Sequence, residues 1–510
     1  MTGAELIVSL LSEVGVRICI TNPGTTELPI VEALGKQRSL RSVLALQEGV
    51  ATGAADGVFR VADELCCVLL HLGPGLMNGA SFLHDARRSR TPTLVLVGQH
   101  VRSHLAFDPP LASDISSVAA SVAVYYSEID SCETIADELL SAVTAAFDLR
   151  GPAVVAIPHD VQTALVDENL LKHKETFSIP LSASPMRTSA IDQVISRIQR
   201  GEEVTFFVGG LSLDDDIIFG LRQIQKVYDI EVLFETFPSV MRRGRELPDF
   251  DKLPYFPDAA QRVLPKRGVF VLFGALNPIS FFAFEDGRSE LLSSEVERVE
   301  LVSPVETGDR TLDLLLLGLD IEIDQGEPLE SRDEFSLSVG GLISKAVRRG
   351  DIVVDEGRTG VPDLFSELSK AEIHTYLGHN GGAIGEGMPL GLGAALASPD
   401  SVVWVVQADG GAMYAPQALW TMSRERAEVK VVLISNRAYR ILEFEMQRAS
   451  MEVTEDVYKL TSLKDPEIDW CKLANSMGVA SCSCNSLDDL EKALVVARET
   501  KGPFLIEMVV

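Results

Sequence analysis

The segment VVWVVQADGGAMYAPQALWTMSRERAEVKVVLISNRAYRILEF, residues 402–444, alternates apolar runs with one helical pattern. A buried strand is expected over Val402–Val406 and a tight turn over Ala408, Asp409, Gly410 and Gly411. A helix over about Ala415–Arg424 and a second buried strand over Val429–Ile434 follow. Apolar runs bounded by turn residues and joined through a helix are the sequence form of a parallel βαβ unit. In such a unit both strands end at the carboxyl edge of the sheet, where open α/β sheets bind ligands. Asp409 and Asn436 are therefore expected to point into one crevice.

A carboxylate and an amide oxygen placed together suit Mg²⁺, a hard cation that prefers oxygen ligands. Gly410 and Gly411 let the backbone approach a phosphate, and the amino end of the following helix faces the anion. The reading is a site for magnesium and a diphosphate, although an ordinary nucleotide-binding βαβ unit with an acidic turn uses the same residue types. The turn followed at this distance by Asn436 resembles the signature of thiamine diphosphate enzymes, usually Gly-Asp-Gly and then Asn-Asn. Ala408 replaces the first Gly and Ser435 the first Asn, while the metal-binding side chains are kept. The resemblance implies that Asp409, Asn436 and the backbone carbonyl of Ala438 hold the metal.

At 510 residues the chain is too long for one core and suggests about three domains. A net charge of −29 disfavours nucleic acid or an anionic membrane surface as partner, since both require a basic footprint. Seven cysteines, an odd number without metal spacing, suggest buried thiols in a reducing compartment. The opening residues MTGAELIVSLLSEVG read as a helix capped by Thr2, neither signal peptide nor membrane span, so a cytoplasmic location is expected.

Residues 1–165 alternate helical and strand patterns, with the turn Asn22-Pro23-Gly24 after one strand, Glu48 between a strand and a Gly/Ala-rich helix, and a loop at Gly73-Pro74-Gly75. A second α/β unit spans residues 185–320, with strands VTFFVGG, EVLFET and GVFVLFGA; a third, 335–510, begins with DIVVDEG and ends with PFLIEMVV. Polar segments, Asp160 to Arg187 and Asp320 to Arg332, read as linkers. The fold class expected is α/β, with three doubly wound parallel-sheet domains.

The resemblance extends to LALQEGVATGAADG and HNGGAIGEGMPLGLGAALA. In thiamine diphosphate enzymes a glutamate from the first domain hydrogen-bonds the aminopyrimidine and activates the cofactor; Glu48 stands in that place. The NPG turn lies in the same domain, and the resemblance implies that Pro23 and Gly24 bind the cofactor. Ile384 matches the bulky side chain that bends the cofactor, and the Gly382 carbonyl would accept from its aminopyrimidine. The domain order then reads pyrimidine-binding, central and diphosphate-binding. Because the activating glutamate and the metal-binding aspartate meet one cofactor from two subunits in this family, a homodimer or homotetramer with active sites between subunits is implied. The central domain holds FAD in some members, and no dinucleotide fingerprint appears here.

NPGTTELP, LLHLGPG, APQALW and the closing LIE resemble benzoylformate decarboxylase, in which the positions of Thr25 and His71 contact substrate. The implied reaction is decarboxylation of a small 2-oxo acid through a covalent adduct at the cofactor's C2. Gly73-Pro74-Gly75 equally resembles acetolactate synthase, a carboligase. A second active-site histidine of benzoylformate decarboxylases has no counterpart; Phe281 and Phe282 lie near its position. A catalytically inactive cofactor-binding homologue is the alternative from another class. Arg242, Arg243 and Arg245 are read either as a solvated face or as a cationic patch for a substrate carboxylate.

Overall fold

The computed structural model describes residues 1–166, 186–283, 289–322 and 334–510. The first six strands are β1 (Ile18–Thr21), β2 (Arg41–Leu44), β3 (Cys67–His71), β4 (Thr93–Gln99), β5 (Tyr125–Glu128) and β6 (Pro152–Pro158). Next come β7 (Val204–Val208), β8 (Ile230–Phe234), β9 (Val240–Arg243), β10 (Val269–Phe273) and β11 (Glu297–Val302). The last six are β12 (Ile352–Glu356), β13 (His374–Gly378), β14 (Val403–Ala408), β15 (Val429–Ser435), β16 (Ala480–Cys484) and β17 (Phe504–Val509). Among the described residues, those of Met1–Ser182, Asp351–Pro362 and His379–Val510 form one compact unit, and those of Ala183–Gly350 and Asp363–Gly378 a second.

The first unit contains two parallel sheets. One runs β2-β1-β3-β4-β6-β5. Its four inner strands, β1, β3, β4 and β6, are largely apolar and buried, and helices Gly3–Glu13 and Ile135–Asp148 cover one face. Thr2 caps the first helix in a reciprocal capping box with Glu5, as expected from the sequence. The chain passes from β1 to β2 on one side and then to β3 on the other. The carboxyl ends of β1 and β3 therefore form the crevice of a topological switch point.

The other sheet of this unit runs β16-β17-β15-β14-β12, again parallel. Helix Glu48–Ala62 lies against helix Gly387–Ala397 through glycine. A Cβ at Gly57 would sit 2.1 Å from the Leu390 carbonyl oxygen, and one at Gly393 would sit 1.9 Å from that of Ala54. The Gly/Ala-rich composition of both segments thus permits backbone-to-backbone packing. Two local expectations change. Gly73-Pro74-Gly75 is not a loop but the first turn of helix Leu72–Arg88, where a proline costs no hydrogen bond. The turn at Asp409 winds into a single helical turn, Asp409–Ala412, before helix Ala418–Glu425.

In the second unit a parallel sheet, β11-β10-β7-β8, matches the three expected central strands and adds β11. β9 pairs antiparallel with β13, joining residues from two segments expected to lie in different domains. Arg242 and Arg245 are exposed, as on the solvated face expected, whereas Arg243 departs from both readings. Arg242 pairs with Asp215. Arg243 is buried, bonds Asp249 and the Phe365 carbonyl, and stacks on the Phe365 ring. The expected linkers lie largely outside the described residues.

Candidate active site

Two groups of side chains in the first unit stand at strand carboxyl ends. The first is at the switch point. The chain leaves β1 through Asn22, Pro23 and Gly24, and the Gly24 backbone passes so close to His71 that a Cβ there would sit 2.2 Å from the imidazole. His71 ends β3. Its Nδ1 lies 2.8 Å from Oε2 of Glu27, a fully buried carboxylate that also accepts from the Gly24 amide at 2.9 Å and from the Thr26 hydroxyl. Room for Glu27 comes from Gly98 on β4, where any Cβ would overlap the carboxylate. The carboxylate fixes the tautomer with hydrogen on Nδ1 and leaves Nε2 as the nitrogen that can exchange a proton. Thr26, rather than Thr25, is the threonine beside the ring, 3.2 Å from Nδ1; Thr25 is exposed.

Glu48 is the first residue of its helix, with Gln47 as cap accepting from the Val50 amide at 3.0 Å. It is 8% exposed, and Oε2 accepts from Nδ2 of Asn78 at 3.1 Å.

The second group is where β14 and β15 end side by side, Ala408 opposite Ile434. Asp409 is 2% exposed. Its Oδ1 accepts from the Gly410 amide at 2.9 Å and its Oδ2 from the Arg437 amide at 2.6 Å. Asn436 Oδ1 accepts from the Ala438 amide at 3.0 Å. The two strand ends thus bring Asp409 beside the turn Asn436–Ala438. Burial pushes the Asp409 carboxyl upward, the amides of Arg437 and Gly410 oppose this, and the charge of Glu507 adds to it. Among the described residues no cationic side chain pairs with Asp409. A buried carboxylate served only by amides fits a hard cation, with the Asn436 and Ala438 oxygens as neutral co-ligands. Gly410 and Gly411 are closely covered: a Cβ would meet the Tyr439 ring at 2.8 Å and Glu356 Oε1 at 2.7 Å.

Between these groups runs the loop His379–Gly387. Gly382 has φ +89°, a left-handed conformation that glycine adopts at little cost. The loop is held on two sides. Glu356, buried at the end of β12, accepts from the amides of Gly385 and Gly387, both at 2.6 Å. From helix Leu72–Arg88, Asp85 accepts from the Ala383 amide at 3.1 Å and from His379 Nε2 at 2.9 Å. His84 Nε2 donates to the Gly381 carbonyl at 3.2 Å. The loop backbone thus packs against the turn at Gly411, where a Cβ at Gly385 would sit 2.8 Å from the Gly411 carbonyl oxygen, and Ile384 is the large apolar side chain in it.

Comparison with known proteins identifies this arrangement. Residues 1–118 match the thiamine pyrophosphate enzyme N-terminal TPP binding domain, and residues 365–508 match the C-terminal TPP binding domain. The chain belongs to the thiamine pyrophosphate enzyme family. A Mycobacterium tuberculosis protein provisionally named acetolactate synthase large subunit IlvX is 33% identical over 522 residues, covering 100% of this chain and 99% of its own. Benzoylformate decarboxylase of Pseudomonas aeruginosa is 25% identical over 528 residues, covering 98% and 97%. The fold is also that of a Rhodococcus jostii thiamine diphosphate-dependent 4-hydroxybenzoylformate decarboxylase, with TM-score 0.84 at 22% identity and coverage of 99% and 98%. This family member is therefore related to both decarboxylases and acetolactate synthases, and thiamine diphosphate is its cofactor.

Glu27, Asn78, Asp85, Glu356 and Glu386 escaped the sequence reading. A signal existed for two of them. Glu27 lies three residues after Gly24, at capping-box spacing. Glu386 is the sole charged side chain in the run from Asn380 to Ser398.

Proposed function

We propose that this thiamine pyrophosphate enzyme decarboxylates a small 2-oxo acid, with Mg²⁺ anchoring the cofactor diphosphate. The observation that carries the reading is His71, held by the buried Glu27 at the switch point with Nε2 left to exchange a proton. When bound, thiamine diphosphate supplies a carbanion that attacks a carbonyl and an electron sink that accepts the released electron pair. Asp409, Asn436 and the Ala438 carbonyl would hold the metal, with Gly410 and Gly411 against the diphosphate. Glu48, positioned by Asn78, would hold a proton at the aminopyrimidine ring, and Gly382 and Ile384 would shape the loop beneath it. Pro23 and Gly24 would contact the cofactor, and Thr25 the substrate. His71 would give or take the proton at the reacting carbon.

Domain limits of 1–165 for pyrimidine binding, 185–320 for the central domain and 335–510 for diphosphate and metal binding go with this reading. A homodimer or homotetramer in the cytoplasm does too; the unpaired thiols support the location. Among the described residues no helix is long and apolar enough to cross a membrane.

Carboligation of the acetolactate synthase type is the second reading. It is favoured by the 33% identical relative and by Phe281, whose ring packs with those of Phe237, Tyr255 and Phe282 near the position expected for a second histidine. To separate the two, purified protein is incubated with thiamine diphosphate, Mg²⁺ and a panel of 2-oxo acids, with and without an aldehyde acceptor, while carbon dioxide and products are followed by mass spectrometry. Aldehyde release supports decarboxylation, and a 2-hydroxy ketone or 2-hydroxy-2-acyl acid supports carboligation. No carbon dioxide from any acid by cofactor-loaded protein would overturn both.

A further inference from the structure

The loop carrying Gly382 and Ile384 ends in a carboxyl group without a donor. Glu386 is fully buried, and neither of its oxygens receives an N–H or O–H from any described residue. Helix Glu48–Ala62 brings Asp56 and Arg60 to it, and helix Leu72–Arg88 brings Asp85. From its own loop, His379 Nε2 stands 3.9 Å away. The Asp56 carboxylate is the group within hydrogen-bonding reach. Asp56 also takes Arg60 through two nitrogens, while Asp85 takes the His379 Nε2–H and the Ala383 amide.

Charge balance decides the protonation state. Asp56 and Asp85 are offset by Arg60 and by Arg358, whose guanidinium donates to His379 Nδ1. An ionised Glu386 would be a third negative charge with no access to water, and two touching carboxyl groups cannot both ionise. We propose that Glu386 is a neutral carboxylic acid that donates its proton to Asp56, and that this pair locks the loop bearing Gly382 and Ile384 onto the helix that opens at Glu48. Burial and the charges of Asp85 and Asp56 push the Glu386 carboxyl well above the usual range, with Arg60 opposing. Glu356 holds the amides on both sides of Glu386, so the side chain has no room to turn away.

Asp85, His379 and Glu386 also present ligand atoms within 4.8 Å of one another, the spacing of a metal site. His379 offers no lone pair there. Its Nδ1 accepts from Arg358, so Nε2 carries the hydrogen given to Asp85. A dication would in addition stand beside Arg60.

Glu386 is a positioning residue. Its effect on cofactor affinity rests on the proposed function, but its protonation does not. Glu386→Gln keeps the shape and an N–H for Asp56, whereas Glu386→Leu keeps the bulk and removes the donor. Infrared difference spectra of wild type against Glu386→Gln at neutral pH are expected to show the carbonyl stretch of one protonated carboxyl in the wild type alone. Amide hydrogen exchange over residues 379–387 is expected to quicken roughly tenfold in Glu386→Leu, the effect of leaving a buried acceptor without its donor, and to change little in Glu386→Gln. Thiamine diphosphate affinity with saturating Mg²⁺ should follow the same order. Absence of the carbonyl band, or equal exchange in both variants, would overturn the proposal. A wild type that binds no thiamine diphosphate would sink the proposed function and leave the infrared and exchange results to decide this one.

Discussion

His71 shows how little of a functional side chain's behaviour is its own. Its ring is held through Nδ1 by Glu27, and Glu27 is held by Gly24, Thr26 and the space at Gly98. Glu27→Gln should therefore disturb the tautomer while leaving cofactor affinity intact. A fall in kcat of roughly 10- to 100-fold with an altered kcat–pH profile is expected, as for other groups that orient a functional histidine. An unchanged profile would mean that His71 does not transfer the proton. Glu48→Gln should bind thiamine diphosphate and Mg²⁺ but lose about 100-fold or more in kcat, the usual scale for a missing proton-transfer group. Turnover of 2-oxo acids at the wild-type rate would remove Glu48 from catalysis. The sequence made Glu48 and His71 legible because each ends or opens an apolar element. Glu27 was not, since its capping-box spacing from Gly24 marks a turn and does not tell that the acid is buried beneath a strand end.

At the scale of elements, helix Glu48–Ala62 meets helix Gly387–Ala397 backbone to backbone. Gly57→Ala and Gly393→Ala each place a methyl group against a main-chain carbonyl that cannot rotate away. Each should cost about 1–3 kcal/mol in chemical denaturation, with similar cofactor affinity per folded molecule. On β13 the buried His374 has its Nδ1 against the Glu372 carbonyl, and its Nε2 has no partner among the described residues. Burial pushes its pKa down from 6.5 to about 4. Between those values the unfolded chain binds the proton and the fold excludes it, so stability is full above the upper value and falls as pH drops toward the lower. The loss amounts to at most about 3 kcal/mol. His374→Gln should flatten that part of the stability–pH curve, and an identical curve would contradict the assignment.

For the whole molecule, the metal site proposed at Asp409 would let cofactor and cation bind together. Thiamine diphosphate with Mg²⁺ should raise the melting temperature more than either alone, and a chelator should reverse the gain. At a hundredfold excess over Kd the stabilisation is about 2.7 kcal/mol. A chelator without effect on the cofactor-loaded protein would count against the metal assignment. The same excess of acidic groups that disfavours polyanionic partners leaves a substrate anion dependent on local cations. Arg243 is not among them, being used inside the second unit.

The sequence by itself determined the α/β class, the parallel order of the elements around residues 402–444, and the placing of Asp409, Asn436 and Glu48 at strand and helix ends. Those features follow from periodicity and turn chemistry, which are local. Only the tertiary structure decided that Arg243 is buried, that Thr26 rather than Thr25 touches His71, and that β9 pairs with a strand more than a hundred residues away. It alone joined Asp56, Asp85, His379 and Glu386 in one dry cluster. Each of these depends on which distant segment supplies the neighbour, and that is fixed by packing and charge balance rather than by pattern.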